Sequence, residues 1–125
     1  MEDLLIQLLE TFKLPVYRQG SIGKNEPYPN AFFTFWNSNT PDGSHYDNKP
    51  LSYVGVFMVN YYSTDPTDTY TTLEQARSLL KQNGFKVDGL GYDAPSDEET
   101  HTGRGFEAIY QQFNNLIKEE QNNGN

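Results

Sequence analysis

Two histidines and a crowd of carboxylates are the residues best equipped for chemistry in this chain. Asp42, His45 and Asp47 share one short run, and His101 follows Asp97, Glu98 and Glu99 in another. Imidazole nitrogens and carboxylate oxygens together make the donor set of many divalent-metal sites. A metal-dependent hydrolase using His45 and His101 would follow if the two runs met in space. The spacing matches no ligand pair one helical turn apart, and Asp, Asn, His and Gly are equally the ordinary residues of turns. Ser44 adjoins His45, but sequence neighbours do not normally face each other, and no Gly-x-Ser-x-Gly elbow is present. Gly20-Ser21-Ile22-Gly23-Lys24-Asn25 lacks the spacing of a phosphate loop, and Pro27 and Pro29 keep a helix from following it. We assign no catalytic residue, no cofactor and no metal ligand from these patterns.

Three further features have two readings each. Arg104 either makes a forked ion pair with a carboxylate of a neighbouring subunit or is a solvated loop arginine. Gly103 and Gly105 read as glycines that let the backbone turn tightly into the strand that follows. Trp36, Tyr53, Tyr61 and Tyr62 could stack a small ligand, making the chain a ligand-binding domain, but their alternation favours packing within a sheet.

The elements that must position these residues are legible from periodicity. Leu4, Leu5, Leu8, Leu9 and Phe12 recur at helical spacing and predict a helix over 2–13, with Glu2 and Asp3 at its positive end and Pro15 beyond it. Val16 to Gln19 is a short strand candidate. Ala31 to Trp36 carries aromatic residues on both faces, which predicts a central strand covered on both sides. Leu51 to Tyr62 is the best strand, and the two should pair as a long antiparallel hairpin. Asp65 and Pro66 open a second helix, with Asp68 at the capping-box spacing, and Asn83-Gly84 closes it. Phe85 to Leu90 and Gly105 to Phe113 are the remaining strands. The order α-β-β-β-α-β-β predicts an α+β fold: a mainly antiparallel sheet of four to five strands with two helices on one face. Residues 1–113 read as a single domain and 114–125 as a polar tail.

Composition narrows the function. The chain has 125 residues, no cysteine, and 17 acidic against 9 scattered basic residues, for a net charge of −8. Tight nucleic-acid binding draws on clustered Lys and Arg, so neither it nor attachment to an anionic membrane is expected. The acidic start and the lack of a run of roughly 20 apolar residues predict a protein made and kept in a cytoplasm. Nine tyrosines and eight phenylalanines in a chain of mean hydropathy −0.76 suit strands with one wet face, and subunit interfaces. The runs Trp36–Asn48 and Gly91–Gly105 look like loops, yet most connections span about 4–6 residues. They read as surface that orders against another molecule.

Phe35-Trp36-Asn37, Asp42-Gly43-Ser44-His45-Tyr46-Asp47-Asn48, Tyr61-Tyr62-Ser63-Thr64-Asp65, the helix Leu73 to Gly84, Gly91-Tyr92-Asp93, Ser96-Asp97-Glu98 and His101-Thr102-Gly103-Arg104-Gly105 together resemble a small structural protein of long-tailed bacteriophages and prophages of Gram-positive bacteria. The likeness runs from about Pro29 to Gln112 and is one of whole pattern. It points to the tail-terminator and tail-completion (neck) group. The resemblance implies a non-enzymatic virion protein, assembled in the host cytoplasm, that forms a homo-oligomeric ring, often a hexamer, on the tail tube. That ring would stop tube growth and dock to the head connector proteins. DNA would pass through without sticking, so an acidic lumen would help. Candidate interface or lumen residues are Trp36, Asp42, His45, Tyr46, Asp47, Tyr92, Asp93, Asp97, Glu98, Glu99, His101 and Arg104.

Overall fold

Alternation along the strands decides which side of the sheet is dry. Phe33 and Phe35, then Phe57, Val59 and Tyr61, then Phe106 and Ala108 are all buried in one cluster with residues from both helices. The intervening positions point to the opposite face. The computed structural model describes residues 2–19, 27–39, 42–46, 49–87, 89–96 and 98–113, with the backbone alone described at 39, 42–46, 49–53, 112 and 113. The elements are α1 (Glu2–Glu10), β1 (Val16–Arg18), β2 (Ala31–Asn39), β3 (Asp42–Tyr46), β4 (Lys49–Ser63), α2 (Pro66–Gln82), β5 (Lys86–Val87), β6 (Tyr92–Ala94) and β7 (Thr102–Phe113).

The fold is α+β, as periodicity predicts. The sheet runs β1-β2-β4-β7-β5, with β3 attached to β4 and β6 attached to β7. Only β1 and β2 pair in parallel; the other described pairs are antiparallel. β4 is the spine. It pairs with β2 from Val56 to Ser63 and with β7 from Ser52 to Ser63. Leu5 and Leu9 of α1 and Leu73, Ala76 and Leu80 of α2 fill the same cluster, so both helices cover one face. Leu-rich stripes on helices have nowhere else to become dry, and about 25 cal/mol per Å² of apolar burial drives the layering.

Three local readings change. α1 stops at Glu10 instead of reaching 13, because Thr11 turns its hydroxyl back onto the Leu8 carbonyl (2.6 Å) and the chain tightens into i→i−3 bonds up to Lys13. Lys13 then adopts φ 60° ahead of Pro15. The two loop-like runs contain strands. β3 and the end of β2 lie in the first; β6 and the start of β7 lie in the second. Their polarity is no obstacle, since a strand is held by backbone bonds and needs apolar side chains only where a face is buried. β2 and β4 do pair antiparallel, but β3 is inserted between them as a second partner for the outer end of β4, with register shifts at Asp42/Ser44 and Ser44/His45.

α2 begins as expected: the Asp65 side chain accepts from Thr67 N–H at 3.0 Å and Pro66 occupies the first helical position. Asp68 does not close a capping box. The Asp65 N–H donates to Ser63 Oγ instead (3.1 Å), and Asp68 accepts from the Tyr61 hydroxyl and the Thr72 hydroxyl, both at 2.6 Å. Gly84 ends the helix at φ 95° with Phe85 N–H on the Leu80 carbonyl. The predicted tail, 114–125, lies outside the described residues.

Candidate functional site

The face of the sheet turned away from the helices is the surface that calls for an explanation. β2 is central in the sheet, and its aromatic pattern predicts cover on both sides. Among the described residues no helix lies on the second side. Its cover is a mosaic of its own rings. Phe32 stacks on Tyr62 at 5.2 Å and 25°, and meets Tyr17 at 6.0 Å and Tyr28 at 5.5 Å edge-on. Such edge and offset contacts add roughly 0.5–1.5 kcal/mol each beyond area burial. Trp36, Thr34, Asn60, Tyr17, Arg18 and Ser96 complete the walls of a shallow depression of about 340 Å³.

The floor of that depression is polar. Thr34 and Asn60 are register partners across β2 and β4, and both are nearly buried. Thr34 Oγ1 and Asn60 Oδ1 have no hydrogen-bond partner. Buried polar atoms without partners typically cost about 1–3 kcal/mol each. Asn60 lies down because Gly105, its partner on β7, has no side chain: a Cβ there would stand 1.9 Å from Asn60 Oδ1. Tyr62 lies across Gly103 in the same way, where a Cβ would come within 2.6 Å of the ring. The two glycines therefore do not make a turn. Neither has a positive φ among the described residues, and both sit inside β7 to make room for side chains of β4.

His101 is a structural pin. Its Nε2 meets the Pro29 carbonyl at 2.8 Å, and its Nδ1 meets the Thr100 hydroxyl at 3.0 Å. A carbonyl can only accept, so Nε2 carries the hydrogen. The ring also packs edge-on to Tyr28 and Phe32. His101 thus ties the segment before β7 to the segment before β2. His45 is elsewhere. Its backbone pairs with Pro50 at one end of β4, whereas His101 precedes Thr102, which pairs with Ser63 at the other end. Nearly the whole of β4 separates them, on the order of 40 Å at the usual rise per residue. Among the described residues no cluster of three His, Asp or Glu could hold a metal ion.

Arg104 is neither a loop residue nor solvated. It points from β7 to the helix side, is 14% exposed, and donates to Asp93 Oδ1 at 2.9 Å and to the Leu90 carbonyl at 3.3 Å. Its guanidinium lies 4.5 Å from the Tyr70 ring centroid. Its carboxylate partner is in its own chain. Of the other predicted residues, Trp36 is half-buried on the open face. Tyr92 is on that face too, its hydroxyl 3.9 Å from Met58 Sδ; burial, then the charge of Glu107, raises its pKa. Glu98 is exposed and Glu99 likewise, the Glu98 N–H and carbonyl both bonded to Ser96 Oγ. Asp42, His45 and Tyr46 lie on β3, while Asp47 and Asp97 lie outside the described residues.

Sequence reasoning missed Thr34, Asn60, Tyr17 and Tyr28, which build the depression with Trp36 and Tyr62. The signal for Asn60 was present: a polar residue inside the most apolar strand of the chain. It also missed Tyr70 and Leu90, which are 61% and 72% exposed. Among the described residues no helix is long and apolar enough to cross a membrane. The chain matches no protein-family model, and comparison with curated proteins finds no match.

Proposed function

We propose that this chain is a non-enzymatic assembly protein of a phage or prophage tail: a tail-terminator or tail-completion component that forms a ring on the tail tube and docks to the head connector. The observation that carries the reading is the one-sided sheet. One face is sealed by helices and the other presents the half-buried Tyr17, Trp36 and Tyr62, with Phe32 buried among them, around a polar floor. A contiguous aromatic surface of this kind marks an interaction site. The resemblance over Pro29 to Gln112 supplies the identity of the partners: sister copies, tail tube and connector.

Charge supports the same reading. A net charge of −8 with scattered cations disfavours adhesion to DNA, which a ring around a DNA channel requires. The extension of β4 beyond β2, paired with β3, offers further surface away from the helix-packed core. Sedimentation and negative-stain imaging test the proposal, with tails lacking this protein as the substrate. Rings at micromolar concentration that cap tail tubes of defined length are the expected outcome. A chain that stays monomeric at high concentration and in tail extracts would remove the reading.

A further inference from the structure

The floor of the open-face depression carries an unmet demand for a donor. Asn60 Oδ1 and Thr34 Oγ1 have no hydrogen-bond partner, although Asn60 is only 5% and Thr34 only 7% exposed. The two residues stand side by side on β4 and β2, and both line the depression. A carboxamide oxygen only accepts, so whatever meets Asn60 Oδ1 must bring a hydrogen; a threonine hydroxyl gives or takes one. The Asn60 amide nitrogen is directed at the Tyr62 hydroxyl (3.4 Å), which leaves the oxygen as the acceptor on offer. The rim is aromatic: Tyr17, Tyr28, Trp36 and Tyr62 are all half-buried there. Among the described residues the lining holds no uncommitted charge. Arg18, its one charged side chain, is ion-paired to Glu2 and lies 5.7 Å from the ring centroid of Phe35, which belongs to the helix-side cluster.

We propose that the depression is a seat for a neutral polyhydroxylated ring, a pyranose sugar. Other occupants leave something unmet. An apolar group would leave both floor atoms unpaired, and an ion would lose its water against walls that offer no free opposite charge. A lone carboxamide would meet the floor but leave most of the aromatic rim uncovered. A pyranose brings adjacent hydroxyls, one to donate to Asn60 Oδ1 and one to share a hydrogen bond with Thr34 Oγ1. Its carbon–hydrogen faces can lie on Trp36 and Tyr17. Directly opposed residues of an antiparallel pair hold their Cβ atoms about 4.5–5.5 Å apart, a span that two neighbouring hydroxyls bridge. A volume of about 340 Å³ stands at the small end of ligand sites, which suits one sugar ring. The inference goes beyond the ring reading and does not rest on it. A sugar free in solution and the end residue of a glycan share this chemistry.

Trp36 is the only tryptophan of the chain, so its fluorescence reports on this seat. The full chain is titrated with glucose, galactose, mannose, rhamnose and N-acetylglucosamine, with acyclic sorbitol and acetamide as controls. At least one sugar should saturate the signal with a dissociation constant of about 1 mM or tighter, and sorbitol should not. Thr34→Val keeps the shape and removes the hydroxyl. It should weaken that sugar about tenfold and leave thermal stability equal or higher, because the lost hydroxyl has no partner within the fold. A merely structural Thr34 would move stability and not affinity. The deoxy counterpart of the sugar should bind the native chain more weakly, and that comparison carries the test if circular dichroism shows Thr34→Val unfolded. Methyl glycosides that bind as well as the free sugar identify a glycan end; binding lost on methylation identifies the free sugar. No saturation by about 100 mM, an equal response to sorbitol, saturation by acetamide alone, or undiminished binding by Thr34→Val would each overturn the proposal. Sedimentation of the same samples separates it from the ring: a monomer that binds sugar keeps the seat and loses the ring, and rings that bind none do the reverse.

Discussion

Tyr61 and Asp68 show how a buried tyrosine can be made to depend on pH at both ends of the scale. The Asp68 carboxyl pays for some burial, but hydrogen bonds from Thr72, Tyr61 and Ser63 outweigh it and hold its pKa below the ordinary 3.8. Burial, then the hydrogen bond to Asp68, drives the Tyr61 hydroxyl well above its ordinary 10.0. A lowered folded pKa gives stability that is present above 3.8 and lost as pH falls through the folded value. A raised one gives stability that is present below 10.0 and lost as pH rises past it. Tyr61→Phe should therefore cost about 1.5–3 kcal/mol at neutral pH in urea unfolding, the range for a bond to a charged group. The deficit should shrink in acid, and the alkaline slope of the native protein should flatten.

Gly105→Ala is expected to destabilise by about 1–3 kcal/mol, the usual range for overpacking. Its Cβ would meet Asn60 Oδ1 and the Val59 carbonyl. Combining it with Asn60→Ala should recover part of that loss, the part due to the side chain, while the backbone contact at 2.9 Å keeps the rest. A double-mutant cycle measured by thermal unfolding reads the coupling. None of this was legible in the sequence. A glycine pair before a strand signals a turn, and nothing local says that a tyrosine and an asparagine from another strand will lie across it.

At the level of elements, local chemistry was a good guide where an element is fixed by its own residues. Asp65 and Pro66 placed the start of α2, and Asn83-Gly84 its end, because caps are decided within a few positions. Asp65→Ala should cost about 1 kcal/mol and Asp65→Asn very little, by urea unfolding, since either side chain can accept from Thr67 N–H. Sequence reading failed where partners are distant. β3 and β6 are polar and short, and they exist because β4 and β7 present unpaired backbone to them. Arg104 is another such case. Its acidic neighbours in sequence drew attention, yet its actual partners are Asp93, Leu90 and Tyr70, brought in by β6 and α2.

For the whole molecule, alternation along β2, β4 and β7 gave the layering, and aromatic content gave the suspicion of a second working surface. The location of that surface needed the register, which sets Thr34 opposite Asn60 and Phe32 opposite Tyr62. Charge has a global consequence. Copies with a net charge of −8 repel one another at long range. Raising ionic strength from 0.01 to 0.15 M shortens the screening length from about 30 to 8 Å, so self-association should strengthen over that interval in sedimentation experiments. A weakening with salt would mean that pairs such as Arg18 with acidic neighbours outweigh the overall repulsion.

The ladder between β4 and β7 also has a history in time. Ser63 and Thr102 end up side by side although they stand 39 positions apart in the chain. At about 5–20 residues per second, a ribosome needs roughly 2–8 s to travel that distance. During those seconds the nascent spine holds β2 on one flank and offers bare amides on the other, next to unfinished copies on the same message. The late arrival of β7 is what closes that flank, so chains halted before residue 102 should be the ones that clump in the cell.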